Sequence, residues 1–276
     1  MKNKMKFIIL LISTAILGIG CMTKKIISNS ESTVISKTLY SENLKEEREI
    51  TIYLPKGYKS EIDLPTVYST DGQIITSAYK QGIDSLINNG ISPKFILVGV
   101  HSNENLVQNS DNAFRNYEYI KNWSEESENL YLQKLYNRHL EFFSAEVLQF
   151  IEDNFPVSKK SEDRIFYGCS NGAGFGISMS VDKSNLFDNY LCLSMAGGSY
   201  EQTNWPYGKY PNMIFAYGKE EPIPFAIAGD EYHEFLNLKN YKHTFYKFEG
   251  GHDRIKWKNE FEKHIPILLN KKVYNK

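Results

Sequence analysis

Apolar residues in this chain fall into short runs and helically spaced stripes, and the two patterns alternate along most of its length. Residues 49–54 (EITIYL) alternate polar with apolar and stop at Pro55, as a half-buried strand does. Residues 64–70 and 95–100 are short apolar runs, and the second (FILVGV) predicts a strand buried on both faces. Between them Ser77–Asn88 predicts a helix, stopped by Asn89 and Gly90. The longest helical stretch is 130–155, where Phe142, Phe143, Val147, Phe150 and Ile151 recur at three- and four-residue spacings before Pro156. Further strands are predicted at 164–167, 189–194, 212–217 and 244–248, and helices near 173–182, 225–238 and 256–269. Strand and helix in alternation predict an α/β fold, a mostly parallel central sheet with helices on both faces. Parallel neighbours need crossover connections, and these spacings provide them.

The amino terminus follows a different logic. Lys2, Lys4 and Lys6 precede a 14-residue apolar run from Phe7 to Gly20, and Cys21 follows. A basic start and a short apolar run are the pattern of an export signal, and the run is shorter than the roughly 20 residues that span a bilayer. The ending LGIGC resembles the lipobox of bacterial lipoproteins, with Gly18 where that box usually has leucine. The alternative is an ordinary secretory signal with an incidental cysteine. The expected organisation is therefore a signal peptide over 1–21, a polar tether over 22–33 and one domain over 34–276. Lipidation at Cys21 would hold that domain at a bacterial membrane, periplasmic or at the cell surface.

Composition narrows the partners. With 32 basic residues against 33 acidic ones there is no broad basic field for nucleic acid. Three cysteines exclude a disulfide scaffold, although a bond between Cys169 and Cys192 is conceivable outside the cytoplasm.

Candidate chemistry concentrates at Gly168-Cys169-Ser170-Asn171-Gly172. This is G-x-S-x-G between an apolar strand (RIFY) and a small-residue helix start. Such an elbow lifts serine onto a strained turn, and the flanking glycines remove side chains that would clash. Cys169 is a poorer nucleophile candidate, because the turn exposes its central residue. A phosphate loop over Gly172–Gly176 lacks the G-x-G-x-x-G spacing, and no G-K-[ST] follows. A serine elbow requires a carboxylate and a histidine later in the chain. Of six histidines, His252 lies in EGGHD after a predicted strand, a loop position at the carboxyl end of the sheet. His101 ends a buried strand near the cleft; His139 sits on the long helix as a packing or surface residue. His233, His243 and His264 lack any motif, and no H-E-x-x-H suggests zinc. Either Glu220 or Glu221, in GKEEP after the 212–217 strand, satisfies the acid requirement, with Asp230 a weaker candidate.

With these residues in view, most of the chain after the tether resembles the esterase branch of the α/β-hydrolases. That branch includes enterochelin, feruloyl and acetylxylan esterases, S-formylglutathione hydrolases and mycolyltransferases. The carrying segments are ITIYLPKGY (50–58), LPTVYSTDGQ (64–73), GCSNGAG (168–174), GKEEP (218–222) and GGHDRIKW (250–257). The resemblance implies a Ser170, His252 and Glu221 triad, choosing Glu221 over Glu220. It also implies an oxyanion hole from the backbone N–H groups of Asn171 and Gln73, and no metal or other cofactor. Arg254 departs from the pattern, standing where many members have an aromatic residue, which alters the pocket rim.

The implied activity is hydrolysis of a carboxylic ester, such as a siderophore trilactone or a glycan-linked acyl ester. The same triad would serve an acyltransferase, and the same fold a non-catalytic surface-binding lipoprotein. Residues 101–129 are too long for a simple connector. Within them Arg115, Tyr117 and Trp123, with Tyr119, either line a substrate cleft or pack the loop down. Arg115, one of five arginines, suits a carboxylate or catecholate, and Trp205-Pro206-Tyr207 is a second candidate rim.

Overall fold

The computed structural model describes residues 30–270, apart from 122, 124–128, 202–204 and 206–209. The expected signal peptide, Cys21, the tether as far as residue 29, and Pro206 and Tyr207 lie outside the described residues. The predicted strands all form: β2 (Glu46–Leu54), β3 (Thr66–Ser69), β4 (Ile96–Val100), β5 (Arg164–Cys169), β6 (Asn189–Leu193), β7 (Asn212–Gly218) and β8 (His243–Phe248). One more strand precedes them, β1 (Thr33–Ser41), which pairs antiparallel with β2 over nine positions. Its residues are mostly exposed or half-buried, so no apolar alternation marks it in the sequence. It begins at the last residue of the expected tether. The eight strands form one sheet in the order β1-β2-β4-β3-β5-β6-β7-β8, with β2 antiparallel to β4 and all later pairs parallel.

Alternation along each strand divides the core into two layers. On one face Tyr167, Leu191, Leu193 and Ile214 pack under α1 (Ser77–Asn88) and α8 (Arg254–Leu269). On the other, Phe166, Tyr190, Cys192 and Phe215 meet a larger helical layer. That layer includes α2 (Phe114–Tyr119), α3 (Leu130–Gln133), α4 (Leu135–Glu141), α5 (Leu148–Asn154), α6 (Asn171–Asp182) and α7 (Ile223–Leu238). The single helix expected over 130–155 is broken: it turns at Lys134 and passes through a π-helical segment over Phe142–Val147. The short α2 lies inside the long connector and had no periodic signal of its own.

The same division disposes of a Cys169–Cys192 bond. Cys192 is opposite Gly168 in the register, so Cys169 points to the α1/α8 face and Cys192 to the other. Both are free.

Candidate active site

Ser170, Glu221, His252 and the loop bearing Gln73 follow β5, β7, β8 and β3, at the carboxyl ends of parallel strands. Ser170 occupies the turn between β5 and α6 at φ 55° and ψ −129°, a backbone state costing about 1–3 kcal/mol for a non-glycine residue. The turn is tied down on both sides. Its N–H donates to Leu193 O at 2.9 Å, and its carbonyl accepts from Ala173 and Ala196 N–H at 2.9 and 3.2 Å. A Cβ on Gly168 would lie 2.5 Å from Gly172 O, and one on Gly172 2.2 Å from Thr70 Oγ1. The glycine spacing is therefore a steric requirement of the elbow. Cys169 faces inward, 4% exposed. Burial pushes its thiol far above the usual range, so it stays protonated and inert beside the serine.

His252 and Glu221 arrive on two loops that interlock. Glu220 N–H donates to Gly250 O at 2.9 Å, and a Cβ on Gly218 would fall 2.2 Å from that same carbonyl. Across this contact His252 Nε2 lies 3.0 Å from Ser170 Oγ, and His252 Nδ1 2.7 Å from Glu221 Oε2. Glu220 points to solvent, whereas the Glu221 side chain is fully buried. The imidazole is held between Phe225, 4.2 Å away by ring centroids, and Trp257, edge-on at 4.7 Å.

Ser194, which the sequence did not single out, and Trp257, the last residue of the GGHDRIKW segment, complete this arrangement. Ser194, buried at the end of β6 with φ 52°, donates its hydroxyl to Glu221 Oε1. It accepts in turn from the Trp257 indole N–H at 2.8 Å. Both carboxylate oxygens are thus engaged, one by the imidazole and one by the serine. Trp257 lies five residues after His252, a spacing that forms part of the family resemblance; nothing local marks Ser194.

The loop after β3 carries Gln73. Asp71 adopts the left-handed conformation (φ 55°, ψ 48°) and starts a single turn over Gly72–Ile74. Arg115 grips its carboxylate in a fork, Nε to Oδ1 at 2.6 Å and Nη2 to Oδ2 at 2.8 Å. Burial opposes the charge on Arg115, and the Asp71 carboxylate more than offsets it, so the guanidinium stays protonated. Asp71 N–H donates to Tyr119 Oη at 3.3 Å, and the Gln73 amide donates to Ser102 Oγ at 2.6 Å. Asn171 Nδ2 donates to Asn116 Oδ1 at 2.9 Å. The 101–120 connector therefore buttresses both residues expected to form the oxyanion hole.

The predicted substrate contacts separate on this geometry. Tyr117 is 9% exposed and packs into the helical core, lining neither cavity beside Ser170. Its assignment to the cleft is corrected, because α2 turns it inward. Tyr119 is likewise fully buried. Arg115 borders a cavity of about 290 Å³ together with Ser170, His252 and Arg254. Trp123, 45% exposed, borders a second cavity of about 460 Å³ with Asn171 and Phe225. Trp205 is no rim residue: it is buried, with its indole N–H on Ser180 O at 2.7 Å.

A mostly parallel sheet with a serine elbow after one strand and acid- and histidine-bearing loops after two later ones defines an α/β-hydrolase. The chain belongs to the family described as Putative esterase, whose pattern matches residues 41–222. That span includes Ser170 and Glu221, while His252 lies beyond it. Solved structures share the fold. A ferulic acid esterase from the anaerobic fungus Anaeromyces mucronatus superposes with a TM-score of 0.65 at 16% identity, over 84% of this chain and 88% of that one. An S-formylglutathione hydrolase from Staphylococcus aureus gives 0.64 at 16%, over 88% and 98%. An IroE-like serine hydrolase from Shewanella oneidensis gives 0.63 at 20%, over 84% and 79%. By sequence, an uncharacterized protein of Bacillus subtilis (strain 168), YjcH, is 23% identical over 166 residues. That match covers 59% of this chain and 61% of the relative's own length.

Proposed function

We propose that this chain hydrolyses carboxylic esters through an acyl-enzyme, with Ser170 as nucleophile, His252 as base and Glu221 as the acid that orients it. The continuous contact from Ser170 Oγ through the imidazole to Glu221 carries the reading. Ser170 Oγ attacks the ester carbonyl as His252 Nε2 takes its proton, and the imidazolium is stabilised by buried Glu221. The carbonyl oxygen becomes an anion that the Asn171 and Gln73 N–H groups receive. Asn171 is the first residue of α6, so its N–H has no intrahelical acceptor. His252 then gives its proton to the alkoxy oxygen, the C–O bond breaks and the alcohol leaves. Water repeats the sequence on the acyl-enzyme, restoring Ser170 and releasing the acid. Labelling by a fluorophosphonate, with the adduct mapped to Ser170 by mass spectrometry and absent from Ser170→Ala, tests the reading. A wild type that neither labels nor cleaves 4-nitrophenyl acetate refutes it.

On this mechanism Arg115 serves as a positioning residue for the oxyanion loop rather than as a substrate anchor. Arg115→Ala is expected to lower kcat about tenfold to hundredfold, short of the loss of a whole oxyanion donor, with KM little changed. Arg115→Lys recovers only part, since an ammonium cannot fill the fork. A change in KM alone would restore the substrate-anchor role.

The Ser194 contact predicts a second effect. Ser194→Ala leaves a buried carboxylate oxygen and an indole N–H unpaired, at a cost of about 1–3 kcal/mol in triad geometry. We expect kcat and the fluorophosphonate labelling rate to fall about tenfold together, measured on protein whose melting temperature is still well above the assay. Unchanged labelling would show that Glu221 is held without Ser194.

A further inference from the structure

Two cavities flank the Ser170–Asn171 turn, one lined by Ser170 and the other by Asn171, and they differ in chemistry. The larger, about 460 Å³, is walled mainly by Ile120, Trp123, Ala196, Pro224, Phe225 and Ala228, with Asn116 and Asn171 as its polar lining. The smaller, about 290 Å³, is lined by Gln73, Glu104, Arg115, His252 and Arg254. Its charges are not equally available. Arg115 is committed to Asp71, and Glu104 accepts from Gln73 and Ser102. Arg254, at the start of α8, is exposed and has no ion pair among the described residues.

The imidazole decides which half of an ester goes where. His252 must pass its proton from Nε2 to the departing alcohol, so that oxygen lies in the cavity that the imidazole itself lines. His252 and Ser170 both line the charged cavity, whereas Phe225, packed against the imidazole, forms a wall of the apolar one. Asn171 and Gln73, the two assigned oxyanion donors, sit one in each lining, so the carbonyl falls between the two cavities. Resting on the esterase reading, we infer that the substrate joins an apolar acyl group, aryl or medium-length alkyl, to an alcohol bearing a carboxylate or similar anion that Arg254 receives. The Arg254 guanidinium forms charge-assisted hydrogen bonds to that anion near solvent, and the acyl chain fills the Trp123 chamber.

Four esters test the partition: acetyl and hexanoyl esters of 4-hydroxybenzoate and of methyl 4-hydroxybenzoate. Wild type should show a higher kcat/KM for hexanoyl than for acetyl, and for the free carboxylate than for the methyl ester. Arg254→Gln should cut the carboxylate-to-methyl ratio about fivefold, the scale of an exposed ion pair, and high salt should cut it in the wild type too. Ala228→Phe, which fills the apolar chamber, should cut the hexanoyl-to-acetyl ratio about tenfold and leave the charge ratio in place. Taking ratios removes general losses of folded or active protein. Flat ratios, a wild-type preference for the methyl esters, or no turnover of any of the four by enzyme that labels at Ser170 would overturn the partition and spare the esterase reading. Absence of labelling would overturn both.

Discussion

Ser170→Ala is expected to lower kcat for 4-nitrophenyl acetate by about 10⁴- to 10⁶-fold while the protein still folds. The size follows from what the side chain does. Without Oγ no acyl-enzyme forms, and only the oxyanion donors and substrate positioning remain to assist direct attack by water. The neighbouring thiol offers no rescue, since Cys169 points into the α1/α8 layer and burial keeps it protonated. Alanine at the strained turn removes a hydroxyl whose described contact is to His252, so stability should change little. A melting temperature near that of wild type together with residual turnover above about 10⁻² of wild type would show that another group is the nucleophile.

Glu221→Gln is the second large effect, a fall of about 10³- to 10⁴-fold in kcat. The amide is nearly isosteric, but it carries no charge to stabilise the imidazolium, and its NH₂ group can turn the ring into the wrong tautomer. Ser194 sharpens the contrast, because its hydroxyl donates to Glu221 Oε1 and would have to reorient against an amide nitrogen. Glu220→Gln is the matched control, one residue away, exposed and pointing to solvent. It should stay within about twofold of wild type, as surface substitutions do. Equal losses in the two variants would remove Glu221 from the mechanism.

Much of this was legible in the chain before folding. The strands from β2 to β8 follow apolar runs of the expected length, and the elbow follows a spacing whose glycines leave no room for a Cβ. His252 was distinguishable from five other histidines by its loop and its position in chain order. Where signals failed, the causes are specific. β1 is an edge strand held by backbone pairing with β2, and its half-exposed side chains leave no pattern to read. Tyr117 is an aromatic residue in a polar connector, where composition is the same for a cleft wall and for a core plug; α2 made it the latter. Arg115 looked like an anion receptor, and the anion it receives is the chain's own Asp71.

The sequence by itself pointed to the layered α/β architecture, to Ser170 and His252 and to the Glu220–Glu221 pair, because periodicity and tight turns are local and leave local marks; the family resemblance chose Glu221 from that pair. The tertiary structure alone decided that Ser170, His252 and Glu221 stand in one hydrogen-bonded line, that Ser194, itself held by Trp257, engages the second carboxylate oxygen, and that two chemically different cavities flank the Ser170–Asn171 turn. Those contacts join residues 27, 31, 63 and 82 positions apart, carried on loops from different strands. Hydrogen bonds and cavity walls at such separations depend on how the sheet brings strand ends together, and no local pattern of residues encodes that.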